Sequence, residues 1–162
     1  MTYDLIQAAR EQVAHLTQQA YERAAAEGVL PAGQTITGTV EVPKDSKNGD
    51  FASSFALAGA KALKMSPRAI AQAILDHLEL EGSYFERAEI AGPGFLNFFY
   101  APSWYGAVLS AVEADPEGYG GSDEGHGQKV MVEFVSANPT GPMHMGNARG
   151  GVLGDTLANV LK

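Results

Sequence analysis

The 162-residue chain contains no cysteine. Disulfides and thiolate-held metal sites are thereby excluded, and the absence fits a reducing cytoplasm. No apolar run is long enough to span a bilayer, and the amphipathic start lacks the form of a secretory signal. Cations are scarce: 11 Lys and Arg stand against 19 Asp and Glu, a formal net charge of −8. That balance argues against a general, salt-driven grip on nucleic acid, so any such contact has to be local. The cations gather somewhat, at Lys44, Lys47, Lys61, Lys64 and Arg68. Taken alone, these read as a solvated surface of mixed charge. What is present, 45% hydrophobic and 19% charged residues, is the composition of a globular chain. Its length suits one core and part of another.

The pattern begins with a helix. Leu5, Ala9, Val13, Leu16 and Ala20 recur at helical spacing, Thr2 offers a starting cap and Gly28 a stop. "QTITGTVEVP" alternates Ile36, Val40 and Val42 with polar residues, as a half-buried strand ending at Pro43 does. "KDSKNGD" is a turn, after which Asp50 is expected to cap a helix carrying Phe51, Phe55, Ala58 and Ala62. Ser66-Pro67 opens another helix with Ile70, Ile74 and Leu78. "SYFERAEIA" and "GFLNFFYA" flank Gly92-Pro93-Gly94 and read as antiparallel neighbours. Pro102 then starts a helix presenting Tyr105, Val108, Leu109 and Val112. Residues 1–114 thus make an α+β domain, a small antiparallel sheet with helices.

Periodicity vanishes over residues 115–128, "DPEGYGGSDEGHGQ", an acidic, glycine-rich linker. Beyond it, residues 129–162 begin with "KVMVEFVS", a buried strand, and end with "NARGGVLGDTLANVLK", a helix. Strand, glycine-bearing turn and helix are the first β–α unit of a Rossmann-like sheet whose other strands are not in the sequence. The turn between them, "SANPTGPMHMGN", is the stretch richest in chemistry. A helix starting near Gly146 would aim free backbone N–H groups and its positive dipole end at an incoming anion, which favours phosphate. Gly141 and Gly146 allow close backbone approach, Pro139 and Pro142 stiffen the path, and His144 can donate to a phosphate. The same residues taken alone also make an ordinary turn whose histidine caps a helix.

"VEFVSANPTGPMHMGNARGGVLGDTLANVL" resembles the first signature of the class I aminoacyl-tRNA synthetases, with His144-Met145-Gly146-Asn147 in place of H-I-G-H. Its flanks are most similar to the arginyl-tRNA synthetase family. "GDFASSFALAGAKALKMSPRAIAQAIL" and "AEIAGPGFLNFF" resemble that family's additional N-terminal domain. The resemblance implies an arginine–tRNA ligase, which activates arginine with ATP and Mg²⁺ and transfers it to tRNA(Arg), with no protein-bound metal. It implies catalytic roles for His144 and Asn147, and an ATP site at Thr140, Gly141, His144, Gly146 and Asn147. It implies arginine contacts from Glu133, Ser136 and Asn138, and contact with the tRNA D-loop through Phe95 and Asn97. Those two lie two apart on a strand and share a face, while Leu96 and Phe98 turn to the core. Asn147 departs from the motif's histidine: it can donate a hydrogen bond but cannot become cationic.

"KMSP", residues 64–67, resembles the K-M-S-K-S loop but precedes the first motif, and it reads instead as a helix start. His15, His77 and His126 read as surface or internally satisfied residues, without ligand spacing for a metal. The family likeness further implies a cytoplasmic, monomeric enzyme with no membrane attachment. The chain is expected to be an N-terminal fragment, inactive alone. Two alternatives stand beside it: a non-catalytic tRNA- or RNA-binding module with a vestigial motif, and a nucleotidyltransferase of the H-x-G-H type.

Overall fold

A computed structural model describes residues 4–123, 125–138 and 140–161. The chain packs into two compact units that divide between Tyr119 and Gly120. Helix α1 (Leu5–Ala26) opens the first unit, and Asp4 caps it, its carboxylate accepting from the Gln7 N–H at 2.8 Å. The expected cap, Thr2, lies outside the described residues. The helical spacing is realised: Ala9, Val13, Leu16, Ala20 and Ala24 are buried, and Gly28 leaves the helix at φ 76°.

The next elements are β1 (Val40–Glu41), a 3₁₀ turn at Ser46–Asn48, β2 (Phe51–Ser53), α2 (Phe55–Leu63) and α3 (Pro67–Asp76). The strand expected from "QTITGTVEVP" is thus only two residues long. A larger correction falls on Asp50, which caps no helix. Its N–H donates to the Phe98 carbonyl at 2.8 Å and its carboxylate accepts from the Tyr100 N–H at 2.8 Å. This ties Phe51–Ser53 into the sheet as a strand, and α2 starts behind Ser54 instead. Phe51 and Phe55 are four apart, a helical spacing, yet one leaves a strand and the other a helix into the same core. α3 starts as expected, the Ser66 hydroxyl accepting from the Ala69 N–H at 3.3 Å with Pro67 in the first turn.

β3 (Phe85–Ala91) and β4 (Phe95–Tyr100) pair antiparallel, and the four-stranded sheet runs β1-β2-β4-β3 with every neighbour antiparallel. Alternation along β4 decides what each face does. Leu96 and Phe98 are fully buried, as expected, and join Phe51, Phe85, Ile70, Ile74 and Val13 in one core beneath α1, α2 and α3. Each such side chain contributes about 1.5–3 kcal/mol on burial. Phe95, Asn97 and Phe99 take the opposite face, where Asn97 stands between Ala52 of β2 and Glu89 of β3.

Helix α4 (Pro102–Ala114) has no buried residue. Tyr105 and Leu109, expected to face a core, are 54% and 66% exposed. The amphipathic pattern is real: Trp104, Val108 and Val112 are half-buried, and Trp104 stacks on Tyr100 at 3.9 Å between ring centroids.

In the second unit, α5 (Met145–Val160) forms as expected, whereas residues 129–138 form no strand. A strand is defined by hydrogen-bonded neighbours, and the described residues here provide none. Val135 also turns to φ 57°, breaking the extended run. The segment nevertheless lies along α5. A Cβ on Gly154 would collide with Phe134, and one on Gly151 would come within 3.2 Å of Val135. The whole is an α+β chain of five helices and one antiparallel four-stranded sheet among the described residues, in which the Rossmann-like unit is not formed. No helix among them is long and apolar enough to cross a membrane.

Candidate nucleic-acid interface and nucleotide-binding turn

The outer face of β4 floors an open groove of about 480 Å³. Residues 41–44 and Asn48 form one wall, the β3–β4 turn forms the other, and Phe95 and Asn97 lie between. Two glycines make this shape possible. Gly49, at φ 86°, passes so close to β4 that a Cβ would sit 2.6 Å from the Phe98 carbonyl oxygen, which holds the 44–49 loop against the sheet. Gly94, at φ 140°, rests on the start of α3, where a Cβ would come within 2.8 Å of Pro67.

The two expected contact residues are brought together there with complementary properties. Phe95 keeps 37% of its surface exposed. Asn97 is only 5% exposed, and its amide makes no hydrogen bond among the described residues. Among the described residues the buried polar atoms without a partner do not include this amide, so it opens into the groove, where water or a ligand can bond it. The groove is therefore apolar and flat at Phe95, and offers both a donor and an acceptor at Asn97. Glu41, also in the wall, is engaged by the Thr39 hydroxyl at 3.3 Å. Arg87 lies over the Phe99 ring at 3.5 Å and is ion-paired with Glu86 and Glu89, so its charge is used internally.

A second pocket, of about 330 Å³, lies behind the same loop and holds Asp50, Tyr100 and Trp104. Burial, then the Asp50 carboxylate and Tyr105, push the Tyr100 phenol up to about 12. The Trp104 indole N–H is buried without a partner among the described residues. Sequence reasoning missed this group because Asp50 was assigned to a helix cap.

In the second unit the turn closes on itself. His144 is the N-cap of α5: its Nδ1 accepts from the Gly146 N–H at 3.1 Å, and its own N–H donates to the Asn147 Oδ1 at 3.0 Å. This is a capping box built from the motif's first and last residues. Gly146 is needed for it, since a Cβ there would come within 2.9 Å of the His144 ring. The Gly146 N–H, expected to be free for phosphate, is thus already bonded. The Ser136 hydroxyl donates to the Glu133 carboxylate, and the Thr140 N–H donates to the Asn138 carbonyl at 2.8 Å. Among the described residues no hydrogen bond joins these to the His144–Asn147 pair. Gly141 is exposed, with nothing within 4 Å of the Cβ it lacks. Pro139 lies outside the described residues. No three His, Asp or Glu side chains among the described residues gather as a metal-holding group.

The family profile described as the arginyl tRNA synthetase N terminal domain matches residues 7–100. The chain belongs to this family. The match takes in the whole groove, including Lys44, Asn48 and the β3–β4 turn as well as Phe95 and Asn97. Among curated relatives, the arginine–tRNA ligase of Acetivibrio thermocellus is 43% identical over 98% of this chain and 28% of its own length. That of Desulforamulus reducens is 52% identical over 75% of this chain and 22% of its own length. That of Magnetococcus marinus is 46% identical over 94% of this chain and 27% of its own length. The chain therefore spans about a quarter of these relatives. Among solved structures, an arginyl-tRNA synthetase from Plasmodium falciparum covers 99% of this chain with 29% of its own, at 16% identity and a TM-score of 0.53. That likeness is one of fold. Within the arginyl-tRNA synthetase N-terminal domain of this chain, the sequence singled out Phe95 and Asn97 but not their walls. Lys44, which lines the groove, and Arg68, which bonds the Gly92 carbonyl of its turn wall, carried a signal, the clustering of basic residues, that by itself read as plain surface.

Proposed function

We propose that this chain serves an arginine–tRNA ligase, in which its first unit holds tRNA(Arg) by the D-loop and its second unit supplies the turn that binds ATP. The observation that carries this is the Asn97 amide, which makes no hydrogen bond among the described residues and opens into the groove beside the exposed Phe95 ring. A base splayed out of a loop stacks on Phe95 and satisfies the Asn97 amide with its edge. Because an unmatched edge leaves the amide unpaired, the site selects among bases as well as binding them.

The enzyme's reaction joins the arginine carboxylate to the α-phosphorus of ATP, expelling pyrophosphate, and then passes the arginyl group to a tRNA ribose hydroxyl. With Nδ1 accepting from Gly146, the His144 imidazole carries its hydrogen on Nε2, which is the donor for the α-phosphate. Full use of the helix amides requires the ring to release Gly146, so ATP binding exchanges an internal cap for a phosphate. Asn147 keeps its amide hydrogens for the same ligand but moves no proton, its carbonyl oxygen being held by the His144 N–H. Thr140 and Gly141 lie along ATP. Glu133, with its Ser136 partner and with Asn138, suits the guanidinium of arginine. Mg²⁺ would accompany ATP as part of the substrate and supply neutralisation of phosphate charge.

Residues 129–162 belong to the first strand–turn–helix of a Rossmann-like domain. Phe134 and Val135 already lie on Gly154 and Gly151, and the strand forms once a neighbouring strand pairs with it. Action as a cytoplasmic monomer rests on the family likeness alone. Nuclease footprinting of tRNA(Arg) tests the central reading. Protection of D-loop nucleotides is expected, and is expected to weaken at the contacted base with Asn97→Ala; protection confined to other parts of the tRNA would overturn it.

A further inference from the structure

We infer that the groove is also a phosphate clamp, in which Lys44 on the loop wall and Arg68 at the turn wall grip the backbone of the RNA whose base lies on Phe95. This rests on the reading above, that the groove takes a nucleotide.

Lys44 lines the groove, is exposed, and has no carboxylate partner among the described residues. Arg68 stands in the first turn of α3. Its Nη1 donates to the Gly92 carbonyl at 3.4 Å, and Gly92 belongs to the opposite wall. The seating of Gly94 on Pro67 fixes that wall to the start of α3, which keeps the guanidinium at the groove's edge. Arg68 too has no carboxylate partner among the described residues.

In a chain of net charge −8, a polyanion is repelled everywhere except where uncompensated cations are gathered. One lines the groove, Lys44, and Arg68 stands behind the other wall, bonded to the Gly92 carbonyl. The types differ usefully: Lys44 is a mobile point charge, while the Arg68 guanidinium, oriented through Gly92, presents its remaining N–H groups as a fork. Glu41 repels phosphate from its own part of the loop wall, so the backbone passes by Lys44 and the turn rather than across the β1 edge. Phosphate contacts fix the register of the strand, and the base contact at Asn97 reads it.

The test is the salt dependence of tRNA(Arg) binding by the 162-residue chain. Lys44→Gln and Arg68→Gln are each expected to flatten the slope of log affinity against log salt by about 0.7–0.9, the loss of one phosphate contact. Both are expected to keep the preference for the normal D-loop over an altered one. Arg68→Lys is expected to restore the slope, and the charge-matched control Lys129→Gln to leave it alone. Asn97→Ala is expected to do the reverse, losing the preference at unchanged slope. If the Lys44 and Arg68 variants keep the parental slope while Asn97→Ala still loses the preference, the clamp is wrong and the base site survives. If the slopes flatten but Asn97→Ala keeps the preference, the clamp holds and base reading at Asn97 is wrong. Absence of any binding by the unaltered chain overturns both.

Discussion

At Asn97 a mostly buried side chain turns an amide without a hydrogen-bond partner among the described residues into the groove, while two residues away an aromatic ring is left in the open. The energetic roles of the pair differ. Phe95→Ala is expected to weaken tRNA(Arg) binding by about 1–3 kcal/mol, the worth of one stacked base, with no large change in melting because the ring is already part exposed. A melting loss that accounts for the whole affinity loss would instead make Phe95 a core residue. In the motif turn, His144 caps α5, and on the proposed reading it also offers Nε2 to phosphate. His144→Ala in a complete ligase carrying this sequence is expected to slow tRNA-dependent pyrophosphate exchange by the equivalent of about 2.7–4 kcal/mol. A loss of only about 0.5–2 kcal/mol, the worth of a helix cap, would reduce it to a capping residue.

Among the elements, α1 and α3 are tied at their C-terminal ends by His77. Its Nδ1 faces the Ala73 carbonyl at 2.6 Å and its Nε2 faces the Glu27 carboxylate at 3.2 Å. Both ring nitrogens meet acceptors, an arrangement that suits the imidazolium. The Ala73 carbonyl is the largest influence raising its pKa above the usual 6.5; Glu27 and Asp76 add to it, and partial burial opposes them. A raised folded-state pKa stabilises fully below the unfolded value and is lost as pH climbs through the folded one. The melting temperature should therefore fall as pH rises above the unfolded value of 6.5 and through the raised folded one, and His77→Gln should flatten that dependence; an identical slope in the variant would remove the clasp.

α5 offers a second test at this scale. Val152, Leu153 and Val160 are 69–78% exposed, so α5 amides should exchange faster than those of α1 and α3, whose apolar faces are buried. Equal protection would mean that α5 has found a cover. These elements also mark where sequence reading stopped. Periodicity on α1 and α3, the Ser66 cap of α3 and the strands β3 and β4 were legible because the signal was local. β2 was not, since three residues become a strand only through Asp50 and its bonds to β4. The run 129–135 read as a strand because its side chains suit one, but strands are made by neighbours.

For the molecule as a whole, the groove exists because the sheet, the 44–49 loop and the start of α3 are locked together. Phe95 and Asn97 could be picked from a strand motif, but the enclosure of Asn97 and the cations beside it come from segments some 30–50 residues apart in sequence. Gly94→Ala probes that lock, because φ 140° and the contact with Pro67 both refuse a side chain. It is expected to destabilise the first unit by about 1–3 kcal/mol and to weaken tRNA binding with it. Gly92→Ala, with nothing within 4 Å, is expected to be milder. Equal effects would show that the seating on α3 is unimportant.

The central claim, that Asn97 meets a D-loop base, is tested most directly by a double-mutant cycle. Affinities are measured for the parent chain and Asn97→Ala, each with normal tRNA(Arg) and with a tRNA whose footprinted D-loop base is replaced by an abasic nucleotide. The expected result is a coupling of about 1 kcal/mol or more between the two changes, the worth of a hydrogen bond made between them. Strictly additive losses would contradict it, since side chain and base would then act independently.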